Sequence, residues 1–166
     1  MERTAEFAPF VRANTPALLR TAYLLTGSAS AAEELVQDTF ARLYPKWARI
    51  EAAEVPLAYV RRAMTNGFIN HQRRAGRREF AVESVPELAD HWDAAAHLAD
   101  RDEVWTLLRT LPDRQRAALV LRYFHDLPDE EIASTLDCRV GTVRSLISRG
   151  LAALRASSGA SPRRLA

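Results

Sequence analysis

Apolar residues recur at helical spacing in the first half of the chain. One stripe has steps of three and four residues and comprises Ala32, Val36, Phe40, Leu43 and Trp47. An amphipathic helix places such positions on one face. Glu33 lies three residues after Ser30, which is the spacing of a capping box at a helix N-terminus. The pattern therefore predicts a helix that starts near Ser30.

Two further stripes predict helices on either side of this one. The upstream stripe ends at Gly27, a typical C-terminal cap, and comprises Leu18, Ala22 and Leu25. The downstream stripe begins near Pro56 and comprises Leu57, Val60, Met64 and Phe68. Three or more helices can bury a small core, so we expect a compact all-helical domain over residues 1–78.

The second half of the chain repeats this organisation after a break. Residues 79–99 lack a clean period and are rich in acids and alanines, which predicts an acidic flexible linker. Helical spacing resumes at Val104 and continues beyond Pro112, which separates two helices. Residues 157–166 are predicted to form a disordered tail. The expected fold class is all-α, with a second small helical domain over residues 100–156 that contains a helix-turn-helix.

The stretch from Leu127 to Arg155 carries the strongest functional signal. A short helix is predicted from Pro128, and three acids in its first turn suit the positive end of the helix dipole. A break at Asp137–Val140 precedes a second helix that opens at Gly141. This order of helix, short turn and helix is the layout of a helix-turn-helix, whose second helix enters the DNA major groove.

A helical projection of this second helix separates two faces. The apolar face comprises Val143, Ile147, Leu151 and Leu154, and the opposite face comprises Arg144, Ser145, Ser148, Arg149, Ala152 and Arg155. Small side chains allow close approach to a groove, and arginine binds guanine or phosphate. A lone basic amphipathic helix is more often a solvated surface, a peptide-groove helix or a membrane-surface helix. The short helix and tight turn that precede this one favour DNA.

Charge is distributed unevenly along the chain. All but one of the 23 basic residues are arginine, although the net charge is only +2. Residues 55–78 contain arginines and no acid, acids dominate residues 79–103, and the chain from Cys138 onward again contains arginines without acids. Two arginine-rich blocks separated by an acidic segment favour contact with phosphate backbones over a merely solvated surface.

Composition excludes several classes of protein. With 166 residues, 48% hydrophobic and 27% charged, the chain is expected to fold. No apolar run is long enough to cross a bilayer and the charged N-terminus leads into no signal core, so we expect no membrane insertion and a cytoplasmic location. The single Cys138 excludes an internal disulfide. The histidines lack metal-ligand spacing and no nucleotide-binding loop or nucleophile motif occurs, so we expect no metal, no cofactor and no enzymatic activity.

Two sets of motifs together resemble a known family. Three stretches resemble the fourth-domain signature of extracytoplasmic-function sigma factors: Leu111–Phe124 (LPDRQRAALVLRYF), Glu131–Ala133 (EIA) and Val140–Ser145 (VGTVRS). These proteins are small sigma subunits of bacterial RNA polymerase and belong to the sigma-70 family. Ala32–Phe40 (AEELVQDTF) resembles the family's clamp-docking helix, and Asn70–Arg74 (NHQRR) ends a stretch similar to its promoter-melting element. The resemblance is to the SigE-like group. The chain departs from the family pattern at Pro128, Asp137, Arg139 and Leu146, where Ser, Gly, Ser and Arg are common.

The resemblance implies a sigma factor that binds core RNA polymerase and directs promoter recognition and transcription initiation. The fourth domain would read the minus-thirty-five element through Arg122, Arg139, Thr142, Arg144, Ser145, Ser148 and Arg149. The second domain would capture melted minus-ten DNA through Arg61, Arg62, Asn66, Asn70, Arg73 and Arg74. Docking on the polymerase would use Glu34, Gln37, Asp38 and Arg42. Promoter DNA and an anti-sigma factor are the further partners that the family implies.

A stand-alone helix-turn-helix transcriptional regulator is the alternative. It would explain residues 127–155 but would leave the first arginine block and the helix over Glu33–Phe40 without a role. Binding of duplex DNA with and without core polymerase separates the two, because strong site-specific binding by the lone chain would indicate a regulator.

Overall fold

The computed structural model describes residues 3–75 and 104–159, and every regular element within these ranges is helical. The side chains of residues 3–5, 72–75 and 158–159 are not among those described. The helices are α1 (Arg3–Thr26), α2 (Ala29–Leu43), a 3₁₀ turn (Tyr44–Lys46), α3 (Trp47–Glu51), α4 (Pro56–Ala75), α5 (described over residues 104–108), α6 (Asp113–Tyr123), α7 (Asp129–Leu136) and α8 (Val140–Gly159). The predicted all-α fold class is confirmed.

The chain divides into two compact units, residues 1–92 and 93–166. Helices α1 to α4 belong to the first unit and α5 to α8 to the second. The predicted linker over residues 79–99, with the domain boundaries at its two ends, lies outside the described residues.

The core of the first unit forms where α1, α2, α3 and α4 meet. The predicted stripe of α2 is buried there, and Val36 and Phe40 pack with Met64 of α4. Trp47 is 2% exposed, and the rings of Phe7 and Phe10 from α1 lie 5.0 and 4.6 Å from it. Burial of such large apolar side chains is the main source of stability in a domain of this size.

The predicted stripe from Ala32 to Trp47 is interrupted by the 3₁₀ turn at Tyr44–Lys46. Pro45 lies in this turn and has no backbone N–H to continue the hydrogen-bond ladder of α2. Trp47, directly after this turn, is still buried in the core.

The start of α2 differs from the predicted capping box. The N-cap is Ser28, with extended backbone, and its side chain accepts a hydrogen bond from the N–H of Ala31 at 3.3 Å. Gly27, with a φ of 73°, ends α1 in the left-handed conformation and turns the chain directly into this cap. Ser30 therefore lies inside the first turn of α2 rather than at its N-cap, and the capping box predicted from Ser30 and Glu33 is wrong.

Helix α6 is the centre of the second unit. Five consecutive residues, Ala117–Leu121, are all buried, which is the pattern of a helix covered on several sides. Helices α7 and α8 both pack on α6 and on each other. Ile132 and Leu136 of α7 and Val143 of α8 fill the space between them.

Two arginines of α6 stabilise the ends of neighbouring helices. The side chain of Arg116 donates to the carbonyls of Leu108 (3.0 Å), Arg109 (3.3 Å) and Leu111 (3.0 Å) at the end of α5. Arg114 donates to the carbonyl of Leu136 at 2.9 Å, at the end of α7. The last carbonyls of a helix have no following turn to supply donors, so these guanidinium groups add donors there. The carbonyl of Leu108 also accepts the N–H of Leu111, which follows α5, at 3.0 Å.

The turn between α7 and α8 is shorter than predicted. Helix α8 begins at Val140, so three residues, Asp137–Arg139, connect the helices. Asp137 adopts the left-handed conformation with a φ of 51°, which a short polar side chain tolerates better than most residues. Helix α8 continues to Gly159, three residues into the segment predicted as a disordered tail, and residues 160–166 lie outside those described.

Candidate nucleic-acid interface

Helix α8 presents two different faces, as the helical projection predicts. Val143 is fully buried, and Ile147, Leu151 and Leu154 are half-buried on the same side. The polar side is exposed and carries Thr142, Arg144, Ser145, Ser148 and Arg149. The structure therefore places five of the predicted minus-thirty-five residues on the exposed side of one helix.

A glycine fixes how closely α8 approaches α6. Gly150 is buried, and a Cβ at this position would lie 2.9 Å from Cδ1 and 3.3 Å from Cγ of Leu119. No side chain fits there without displacement of Leu119, which is itself buried. Close packing at this point holds the apolar side of α8 against the core, so the polar side has to face outward.

The two remaining predicted residues of this set flank the exposed face. Arg139 is exposed in the turn before α8, where its carbonyl accepts the N–H of Val143 at 3.1 Å. Arg122 is half-buried near the end of α6. Arg122, Arg144 and Ser148 line one open groove of about 380 Å³ with Tyr123 and Arg155.

Asp129 joins two of the predicted DNA-binding arginines and was not singled out for this role from the sequence. One carboxylate oxygen forms an ion pair with the Nη2 of Arg122, and the other accepts from the Nε of Arg144 at 2.9 Å. The side chain of Asp129 is 18% exposed, whereas that of Arg144 is 71% exposed. The sequence signal was an acid in the first turn of a helix, which a favourable dipole interaction explains without any cross-helix contact.

Helix α4 places the predicted minus-ten residues of the first unit along one helix. Arg62, Asn66 and Asn70 recur every four residues, and this spacing puts neighbouring turns on the same side. Arg62 and Asn70 are exposed, and Asn66 and Arg61 are half-buried. Arg73 and Arg74 continue the same helix but lie outside the residues whose side chains are described.

The predicted docking residues lie on α2. Glu34, Gln37, Asp38 and Arg42 are all exposed. Glu34, Asp38 and Arg42 line a groove of about 620 Å³ between α2 and α4, and Asn70 and His71 line its opposite wall. The groove thus combines predicted docking residues with a predicted minus-ten residue.

Gly67 allows α2 and α4 to interact closely at this groove. A Cβ at Gly67 would lie 2.5 Å from Nη2 of Arg42, so the guanidinium rests against the glycine backbone. The Nε of Arg42 also donates to the carbonyl of Asp38, four residues earlier, at 3.4 Å. A glycine weakens a helix by about 1 kcal/mol relative to alanine, and an alanine at this position would have to displace only the exposed end of Arg42.

Within residues 3–75 and 104–159, no group of three His, Cys, Asp or Glu side chains is arranged to hold a metal ion. No helix in these ranges combines the length and apolar character needed to cross a bilayer.

Comparison with known protein families matches both units. The family model "Sigma-70 region 2" matches residues 10–78, and "Sigma-70, region 4" matches residues 101–154. The two regions occur in the order that the sequence motifs predicted. A stand-alone helix-turn-helix regulator is not favoured, because it would not explain the match over residues 10–78.

Individual relatives agree with the family models. The chain is 36% identical to RNA polymerase sigma-E factor from Streptomyces coelicolor over 93% of this chain and 87% of the relative. It is 33% identical to ECF RNA polymerase sigma factor SigE from Mycolicibacterium smegmatis over 87% of this chain and 58% of the relative. Its fold is similar to that of the sigma factor RpoE from Bartonella quintana, in a co-crystal with the anti-sigma factor NepR, with a TM-score of 0.70, 24% identity and coverage of 95% and 99% of the two chains. The chain therefore belongs to the extracytoplasmic-function sigma factors of the sigma-70 family and is an RNA polymerase sigma factor.

Proposed function

We propose that the two units recognise two different parts of a promoter while bound to one core RNA polymerase. The second unit reads the duplex minus-thirty-five element, and the first unit binds the melted minus-ten strand. The observation that supports this most strongly is the exposed face of α8, where small and guanidinium side chains stand opposite a buried apolar face in a helix-turn-helix.

Within α8, the central exposed residues contact base edges. Arg144 and Arg149 can bind guanine through two parallel hydrogen bonds, and Ser145 and Ser148 are small enough to let the helix enter the groove. Arg122 and Arg139 lie at the margins of this face and contact phosphates, which sets the register without reading sequence. Thr142, in the first turn of α8, adds a hydroxyl to the same face.

The first unit binds single-stranded DNA along α4. The row of Arg62, Asn66 and Asn70 offers a cation for the backbone and two amides for exposed base edges. Arg61, Arg73 and Arg74 extend the cationic character of the helix, and the loop over residues 52–55, between α3 and α4, receives a flipped base.

The exposed side of α2 docks on the polymerase. Glu34, Gln37, Asp38 and Arg42 present charged and amide groups of both signs, which suits recognition of a specific partner surface. An anti-sigma factor is a further proposed partner, because the similar RpoE chain is bound to one. The protein itself carries out no covalent chemistry and acts in the cytoplasm, where polymerase and DNA are located.

Substitution of Arg149 tests the reading of the minus-thirty-five element. Arg149→Ala, in complex with core polymerase, should weaken binding to a matching promoter by about 1–3 kcal/mol and should have little effect on a promoter with a scrambled upstream element. Arg109→Ala is the matched control, because Arg109 is also exposed on the second unit but lies outside α8. An equal loss on both promoters with Arg149→Ala would make Arg149 a phosphate contact and would contradict its role in base reading.

Substitution on α2 tests the docking assignment. Changing Gln37 and Asp38 together to alanine should reduce the affinity for core polymerase without a change in helical content, because both side chains are exposed. Arg20→Ala, on an exposed position of α1, is the control for a surface change elsewhere. Normal assembly of the double variant with core polymerase would remove α2 from the proposed interface.

A further inference from the structure

Asp129 is an acid in direct contact with the proposed DNA-reading face. It is the first residue of α7, and its carboxylate bridges Arg122 of α6 and Arg144 of α8. One side chain thus connects both helices of the helix-turn-helix, α7 and α8, to α6. Glu130 and Glu131 occupy the same helical turn, are exposed, and make none of the ion pairs that Asp129 makes.

The geometry at Arg144 distinguishes two parts of its guanidinium group. The Nε donates to Asp129 at 2.9 Å and is therefore occupied. A guanidinium group has five N–H donors, so the four on Nη1 and Nη2 are left for a ligand. Because the group is planar, a hydrogen bond at Nε also restricts the direction of the other four.

The two partners of Asp129 differ in exposure, and this difference separates their roles. The side chain of Arg122 is 33% exposed and anchors the carboxylate of Asp129. The side chain of Arg144 is 71% exposed and would move freely without its contact with Asp129. A flexible arginine at the surface loses rotational freedom about several side-chain bonds when it binds a base, and this loss of entropy opposes binding. An arginine that is already held in one orientation loses less and is aimed at fewer positions.

We propose that Asp129 is a positioning residue for promoter recognition, which holds Arg144 in the orientation that reads a base and offsets one positive charge at the interface. The proposal rests on the proposed function of α8 as the minus-thirty-five reader. It assigns to Asp129 an effect on selectivity: the held arginine favours the correct base, and the carboxylate repels phosphates at every sequence. Removal of the charge therefore lowers discrimination while it raises sequence-independent affinity.

Asp129→Asn in the full chain, assembled with core polymerase, provides the test. Binding is measured to a promoter with a matching minus-thirty-five element and to one with that element scrambled, over a range of salt concentrations. The ratio of the two affinities should fall about five- to tenfold, because the variant loses part of the discrimination of one arginine–base pair. The salt dependence on the scrambled promoter should steepen by about one phosphate contact, a slope of roughly 0.9.

Glu130→Gln is the matched control. It removes the same charge from the same turn of α7 without a contact to either arginine, so the affinity ratio should stay at the wild-type value. An equal fall of the ratio in Glu130→Gln and Asp129→Asn would show that general charge, rather than the contact with Arg144, is responsible, and would overturn the proposal.

A double variant tests whether Asp129 acts through Arg144. Arg144→Ala should lower the ratio by itself, and the addition of Asp129→Asn should lower it no further, because no arginine remains to be positioned. A purely structural role would give additive losses and would overturn the proposal. If wild-type polymerase complexes do not distinguish the two promoters, the proposed function of α8 fails instead.

A measurement on the wild-type chain does not depend on the folding of any variant. Hydrogen exchange at the Nε–H of Arg144 should be slower than at the Nε–H of Arg149, which is exposed on the same helix and has no carboxylate partner among the described residues. Equal exchange at both sites would show that Asp129 does not hold Arg144 in solution and would refute the inference.

Discussion

Arg116 offers the strongest test of what stabilises the second unit. Its side chain is almost fully buried and donates hydrogen bonds to three carbonyls at the end of α5, those of Leu108, Arg109 and Leu111. Asp113 is its acidic neighbour, at 3.9 Å. Burial lowers the pKa of Arg116 below its usual value, and the charge of Asp113 partly opposes this shift. An arginine side chain keeps its proton in folded proteins, so the buried group remains charged.

The expected loss in Arg116→Ala follows from these contacts. The bonds to Leu108 and Leu111 lie in buried surroundings, and Arg116→Ala removes both of them. The carbonyl of Leu108 keeps the N–H of Leu111 at 3.0 Å, so each lost bond is counted at its net value. At about 1.5 kcal/mol for each, the free energy of unfolding of the second unit should fall by about 3 kcal/mol. The value of about 1.5 kcal/mol for each bond is a net value, which already includes the cost of removing the guanidinium from water. The partly buried bond to Arg109 adds little.

Hydrogen exchange measured by peptide separates the two units in the intact chain. A loss of about 3 kcal/mol corresponds to a decrease of more than a hundredfold in the protection of α6 amides, since about 1.4 kcal/mol is a factor of ten. Peptides from α2 and α4 belong to the other unit and should keep their protection, which makes them an internal control. Arg109→Ala should cost less than about 1 kcal/mol, because Arg109 is exposed and lies over the ring of Trp105 at 5.4 Å.

The shape of the guanidinium matters as much as its charge. Arg116→Lys keeps the positive charge, but a lysine side chain lacks the planar fork of donors that reaches several carbonyls. The decrease in the free energy of unfolding should therefore be more than half of that in Arg116→Ala. A decrease of less than tenfold in α6 protection for Arg116→Ala would refute the reasoning. It would mean that the cost of burying the charged group cancels its hydrogen bonds to α5.

Two predictions concern the first unit. Gly67→Ala should raise its stability by about 0.5 kcal/mol in thermal unfolding, because the gain in helix propensity exceeds the cost of moving the exposed end of Arg42; a net loss would show that Arg42 is held firmly on Gly67. The pKa of Glu51 is raised, mainly by desolvation and to a smaller extent by a side-chain hydrogen bond with Glu6 and by repulsion from its charge. The stability of the unit should therefore decrease as the pH rises from below 4.5 through the raised pKa, and Glu51→Gln should remove this decrease in pH-dependent unfolding; an unchanged profile would exclude the contact with Glu6.

Helices α2, α4 and α8 were predictable because their apolar residues recur at helical spacing. The stripe through Val36 and Phe40 and the fully buried Val143 follow from spacing alone. The exact start of α2 was not predictable, since Ser28 and Ser30 are both good N-caps by residue type. The choice depends on the left-handed turn at Gly27, which brings Ser28 into an extended conformation at the end of α1.

Contacts between distant residues could not be read from local patterns. Asp129 and Arg144 lie fifteen residues apart, and only the packing of α7 against α8 brings them together. Gly67 likewise reads as a weak point of α4 until Arg42 of α2 is placed against it. Such pairs require tertiary structure, whereas periodicity reports only which face of an element is buried.

The arginines of the second unit show why formal charge overstates the DNA-binding surface. Arg114 and Arg116 use their donors on the ends of α7 and α5, so they contribute to stability rather than to phosphate attraction. Arg144 shares its charge with Asp129, whereas Arg149 is exposed and has no such carboxylate partner among the described residues. An electrostatic contact with DNA releases counterions only when the cation faces the phosphate. The salt dependence of promoter binding should accordingly reflect the few exposed arginines around α8, and a slope that matched every arginine of the unit would contradict the structural roles of Arg114 and Arg116.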